Sequence, residues 1–221
     1  MVILSIAGFL SLAVTSLAQV EAVPAAATPQ ARRPAIVQRP IPFGDDRKKQ
    51  MAAYSKRHYG TSSYRLSHPR VIVEHYTVTT TLSSAYNTFA SNDRDPELHE
   101  LPGVCAHFIV DRDGTIVQLV PLSIRCRHTI GLNHRAIGIE QVGMNAQEIL
   151  GRKRQRRSIV ALSAWLKCRY DIRQSDIIGH AMSLSSPFHE ERVAALRNRT
   201  HSDWTASELA PIRSEIARYR C

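Results

Sequence analysis

The sequence predicts a single α/β domain with a central mixed β-sheet flanked by helices. Three observations carry this. Short β-branched runs interleave with stretches of helical period, which is the pattern of strands covered by helices. One pair of runs is joined by an Asp-Gly turn, so part of the sheet is antiparallel. The chain has 221 residues, 43% hydrophobic and 22% charged, enough for one sizeable core plus appended segments.

In chain order, residues 2–18 form an uncharged apolar run ending Ser16-Leu17-Ala18. Small residues at the first and third of these positions suit cleavage after Ala18, so residues 1–18 are expected to be a signal peptide. The run lacks a preceding Lys or Arg, and an uncleaved anchor is the alternative. Residues 19–44, rich in Ala, Pro, Gln and Arg, are expected to be a flexible lead-in. Asp45 and Asp46 then open a short helix within residues 45–63, with Met51 and Tyr54 placed to dock on a core and Gly60 to stop it.

The compact domain is expected over residues 64–221. Residues 71–76 read as a strand with Val71, Val73 and His75 on one face. Residues 105–110 and 115–120, either side of Asp111-Arg112-Asp113-Gly114, read as a hairpin. Residues 136–142 form a third strand. Residues 158–170 form a helix with Ile159, Leu162, Leu166 and Tyr170 in one stripe. Residues 176–179 suit a short strand and 190–196 another helix. Glu74, on a buried-looking strand, is expected to pair with a basic residue.

The net charge of +10 favours a polyanionic partner without choosing one. Five of the six residues 152–157 are basic, which fits a solvated helix face as readily as an anion-contacting one. Four cysteines occur without a Cys-x-x-Cys pair, so a thiolate zinc knuckle is not indicated. In an exported chain an even, scattered set makes disulfides. Cys221 is placed to tie the C-terminus to the helix carrying Cys168, leaving Cys105 for Cys126, but the sequence leaves the connectivity open.

Ten histidines raise the question of which converge. His75 ends a strand, His180 follows one, and His201 and Asp203 share a face if extended. Functional groups gather at strand ends in open α/β sheets. Two imidazoles and one carboxylate leave a fourth tetrahedral position for water, the pattern of a catalytic zinc. Satisfied structural histidines are the alternative on spacing alone.

At these residues the chain resembles the zinc-dependent N-acetylmuramoyl-L-alanine amidases, the superfamily that includes bacterial autolysins, phage amidases and animal peptidoglycan recognition proteins. The elements are Val-Ile-Val-Glu-His-Tyr-Thr (71–77), Ala-His-Phe-Ile-Val-Asp-Arg-Asp-Gly-Thr-Ile (106–116) and Arg-His-Thr-Ile-Gly-Leu-Asn (127–133). They continue with Ala-Ile-Gly-Ile-Glu-Gln-Val-Gly (136–143), Ile-Ile-Gly-His (177–180) and Thr-His-Ser-Asp-Trp (200–204), in the family's order. The resemblance implies the peptidoglycan recognition protein/amidase fold and cleavage of the bond between N-acetylmuramic acid and the first L-alanine of the stem peptide. It implies a Zn2+ held by His75, His180 and Asp203, with Glu140 as general base and His201 as stabiliser of the transition state. His128 and Asn133 match a substrate-binding segment, and His107 a structural position.

Two departures stand out. His180 and Asp203 are separated by 22 residues, longer than in compact relatives, and Trp204 replaces a common Pro. The insertion, 181–200, is expected to add a helix on the cleft rim, and it leaves His201 as an alternative zinc ligand with Asp203 behind it.

The expected partners are peptidoglycan or muropeptides and the polyanionic wall, and the expected location is secreted or periplasmic. A monomer is expected. A non-catalytic peptidoglycan-binding module of the same fold is the rival function. Specific nucleic-acid binding is not expected, because no aromatic residues interleave with the basic run.

Overall fold

The computed structural model describes residues 1–2 and 28–221. The signal peptide expected at 1–18 lies, but for its first two residues, outside them. Among the described residues no helix is long and apolar enough to cross a membrane.

The elements are β1 (Val37–Gln38), α1 (Asp45–Tyr59), β2 (Val71–Tyr76), α2 (Leu82–Ala90), β3 (Phe108–Val110) and β4 (Ile116–Gln118). They continue with β5 (Ala136–Gln141), α3 (Ala146–Gly151), α4 (Lys153–Tyr170), β6 (Ile177–Gly179) and α5 (Ala206–Ile216). One mixed sheet has the order β1-β4-β3-β5-β2-β6. Only the β3–β4 hairpin is antiparallel; β3, β5, β2 and β6 run parallel.

Alternation along the strands makes two faces. Ile72, Phe108, Val110, Ile137, Ile139 and Ile177 pack with Ile159, Leu162 and Leu166 of α4 and Leu209, Ile212 and Ile216 of α5. On the other face Ile109 and Val117 meet Ala85 and Phe89 of α2, while Val71, Val73 and Ile178 pack with Leu132. Burying each such aliphatic side chain contributes about 2 kcal/mol, so the sheet is fixed from both sides.

Four expectations are corrected. From Pro29 onward the supposed flexible lead-in lies against the domain: Arg220 N–H donates to Pro29 O, Val37–Gln38 pairs with β4, and Ile41 is buried. The helix expected at 158–170 begins at Lys153, because buried Gln155 donates to Val110 O and Val142 O and clamps the first turn to the sheet. Residues 190–196 form only a 3₁₀ turn, Ala194–Leu196, because Glu191 and the Arg192 N–H are committed to His58 instead. Among the described residues Glu74 has no Lys or Arg ion-pair partner; it receives hydrogen bonds from Ser163 and Gln141.

The N-terminal helix belongs to the fold. Met51 and Tyr54 are fully buried, as their spacing predicts. His58 is buried between Glu191, at 2.8 Å, and Glu100, at 2.9 Å, so α1 joins the insertion to the 91–103 loop. Burial works against protonation of His58, but these two carboxylates outweigh it and raise its pKa above the ordinary histidine value. The cysteines pair as Cys105–Cys126 and Cys168–Cys221, with none free.

Candidate metal centre

Parallel pairing of β2, β5 and β6 brings their C-terminal ends together. His75 is the register partner of Glu140, and Glu74 that of Gly179, so His180 emerges one residue beyond, beside His75. The two rings meet edge to face, with centroids 4.7 Å apart.

Asp203 arrives from the far end of the insertion. Its carbonyl accepts the Ala181 N–H at 3.0 Å, and a side chain at Gly179 would put its Cβ 1.7 Å from the Trp204 carbonyl oxygen. Only glycine admits so close an approach. The insertion therefore loops out and returns beside β6, pinned by Thr200 Oγ1 donating to His180 O at 2.8 Å.

His75, His180 and Asp203 each offer a ligand atom within 4.8 Å of the others, and all three are buried. Asp203 Oδ2 lies 3.1 Å from His75 Nδ1 and its Oδ1 lies 3.2 Å from His180 Nδ1. Burial raises the Asp203 pKa, but hydrogen bonds from His180 and His75 overcome this and hold it well below the usual carboxylate range. Burial pushes His180 down to about 4, so its imidazole is neutral at neutral pH. A neutral imidazole and a carboxylate are the forms that bind a cation, and the donor set fits a divalent metal of the zinc class. At His75, burial opposes protonation, yet Asp203 and the charges of Glu140 and Glu74 raise its pKa overall.

Glu140 shares the face with His75. Burial, aided by Asp203 and opposed by His75, pushes its carboxyl up to about 7, where it can accept and return a proton near neutral pH.

His128 Nδ1 lies 3.1 Å from His75 Nε2 and 2.8 Å from Thr129 Oγ1. Its ring packs on β5, where a Cβ at Gly138 would come within 2.7 Å of it. Asn133 lines the same cavity as His128 but is fully buried, accepting the His128 and Thr129 N–H groups at 2.9 and 2.8 Å. It thus shapes the segment that presents His128. His107 is structural, between Ile124 O and Gly138 N–H. His201 stands on the cavity rim, its ring stacked on His180 at 4.7 Å and its Nε2 2.9 Å from Glu97 Oε2.

Sequence reasoning missed Thr129, whose Oγ1 lies 3.2 Å from His75 Nε2, and Glu97, which also pairs with Arg199 at 2.9 Å. Thr129 adjoins His128 and was within reach of the motif; Glu97 sits in an aperiodic loop that carries no signal.

A family profile described as N-acetylmuramoyl-L-alanine amidase matches residues 65–203, well over half the chain. Among solved structures the chain is similar to the endolysin N-acetylmuramoyl-L-alanine amidase LysCS from Clostridium intestinale, at 27% identity over 68% of this chain and 83% of that one, TM-score 0.46. It is similar to a mutant endolysin from Bacillus subtilis, at 19% identity over 82% of this chain and 98% of that one, TM-score 0.50. A third likeness is to the amidase AmiD from E. coli, solved with anhydro-N-acetylmuramic acid-L-Ala-D-gamma-Glu-L-Lys, at 23% identity over 52% of this chain and 49% of that one, TM-score 0.41. No curated protein is a match by sequence.

Proposed function

This chain belongs to the N-acetylmuramoyl-L-alanine amidase family, and from that premise we propose that it hydrolyses the muramyl–alanine amide at a zinc site formed by His75, His180 and Asp203. It is a peptidoglycan amidase, with the mixed sheet and flanking helices of that fold. The observation that carries the zinc reading is the convergence of two buried imidazoles and one buried carboxylate at adjoining strand ends.

A bound zinc polarises the amide carbonyl and makes water a better nucleophile near neutral pH. The chain's own residues do the rest. Glu140 takes the proton of the attacking water as its oxygen bonds to the carbonyl carbon. The same proton passes to the alanine nitrogen as the carbon–nitrogen bond breaks, leaving a muramyl carboxylate and a free amine. His201, its ring held by Glu97 and stacked on His180, faces the developing oxyanion. His128 forms the cavity wall against which the substrate lies, and buried Asn133 holds it there by accepting the His128 and Thr129 N–H groups.

The partner is peptidoglycan or its fragments. Lys153, Arg154 and Arg157 are exposed and have no ion-pair partner among the described residues, which supports attraction to the anionic wall. Two disulfides fit action outside the cytoplasm, reached through cleavage after Ala18, by a monomer.

The test is incubation of the purified protein with peptidoglycan, with and without a chelator, followed by mass spectrometry. New free alanine amines, absent with chelator and restored by zinc, support the reading. New sugar reducing ends, or cleavage indifferent to metal, contradict it.

A further inference from the structure

On the helix face of the sheet, directly behind the cluster, four side chains form a buried line of hydrogen bonds. Ser163 Oγ of α4 donates to Glu74 Oε1 at 2.6 Å. Gln141 Nε2 donates to Glu74 Oε2 at 2.6 Å, and the Trp204 indole N–H donates to Gln141 Oε1 at 2.7 Å. All four residues are 0% exposed.

Three of them flank the site in sequence. Glu74 precedes His75, Gln141 follows Glu140, and Trp204 follows Asp203. In β2 and β5, neighbours leave the strand on opposite faces, so this line is the reverse side of the cleft. Trp204 is also one of the few non-glycine residues with left-handed backbone, at φ 53°. A bulky residue holds that conformation only where its surroundings over-determine it. Here they do so through the indole bond to Gln141 and the close fit of the Trp204 backbone against Gly179.

We propose that Gln141 is a positioning residue for Asp203. By accepting the indole N–H, with its own amide held by Glu74 and Ser163 behind, it fixes the turn at Trp204 and so the direction in which Asp203 meets His75 and His180. Outer residues that orient metal ligands act in this way. The proposal rests on reading His75, His180 and Asp203 as the metal ligands. The competing role is purely structural, in which the line satisfies buried polar groups and holds the core. The two roles differ in what the metal senses.

The experiment measures zinc affinity by competition with a chromophoric chelator, the visible spectrum of the cobalt(II)-loaded protein, and apo-protein Tm. The proteins are the full chain and its Gln141→Met, Trp204→Phe, Ser163→Ala and Ile72→Val variants. Ile72 lies on the same face of β2 as Glu74 but outside the line, and its truncation controls for core loosening. Gln141→Met and Trp204→Phe are expected to weaken zinc binding about 10- to 100-fold and to shift the cobalt bands. Ile72→Val is expected to lower Tm while leaving affinity and spectrum alone. Ser163→Ala, at the far end, is expected to fold and to lose a smaller factor of about 2 to 10; it decides the matter should the other two fail to fold. Variants of the line with parental zinc affinity and cobalt spectrum overturn the proposal even where Tm falls. An unaltered chain that takes up no zinc defeats the metal reading itself, and the positioning role with it; zinc binding by parent and variants alike defeats the positioning role alone.

Discussion

His75 and Glu140 are register partners on the parallel strands β2 and β5, and their side chains leave the sheet together at its C-terminal edge. That pairing sets a carboxyl with pKa about 7 beside a candidate metal ligand. Residues 65 apart in sequence come together without any loop having to carry either one, so the geometry is as rigid as the sheet.

Glu140→Gln keeps the shape of the side chain and removes its ability to take a proton. Turnover on muropeptide is expected to fall by about 10² or more, with zinc content unchanged. Near-normal turnover means another group activates the water.

His75→Ala is expected to abolish tight zinc binding and activity together, since removing one of three protein ligands leaves two. Metal analysis after dialysis checks this; full occupancy contradicts the assignment.

His58 gives a pH prediction for stability. Its folded pKa is raised, so its contribution is full below the unfolded value of about 6.5 and is lost as pH rises through the folded value. The Glu100 pKa is lowered: burial raises it, but the His58 hydrogen bond and charge outweigh that, so its contribution is lost as pH falls through the lowered value. Stability from this contact is therefore greatest between the unfolded carboxylate value of about 4.5 and that of histidine near 6.5. His58→Gln is expected to cost about 3 kcal/mol in that window and to reduce the alkaline decline. Urea denaturation from pH 5 to 9 measures both; a parental pH profile in the variant contradicts the role of the two carboxylates.

Both disulfides are expected to be intact in the purified protein. Thiol labelling under denaturing, non-reducing conditions is expected to find no reactive cysteine. Cys168–Cys221 spans 53 residues, and replacing both cysteines with serine is expected to cost about 2–4 kcal/mol. Two or more labelled cysteines contradict the pairing.

The parts of the fold legible in the sequence are those whose signals are local. The β-branched run at 71–76, the Asp-Gly hairpin and the strand at 136–141 announce themselves by period and turn chemistry. Helix α5 went unread although Thr205 and Glu208 form a capping box, because Pro211 interrupts its pattern. Helices α2 and α3 are short, capped by Thr81 and Asn145 in segments with little helical stripe. Strand β1 is two residues whose only signal is its partner, β4. At the site, the histidines and Asp203 were legible from motif order. Their supports were not, because Gln141 and Ser163 meet Glu74, and Trp204 meets Gln141, only through tertiary packing. The Glu74 expectation failed for the same reason: a buried carboxylate can be satisfied by neutral donors that leave no charge pattern in sequence.

The most direct test compares the zinc content of Asp203→Ala with that of His201→Ala. Asp203→Ala is expected to lose tight zinc. His201→Ala is expected to keep about one zinc per chain while losing about 10² to 10³ in turnover. Zinc retained in Asp203→Ala and lost in His201→Ala contradicts this, and assigns the third ligand to His201.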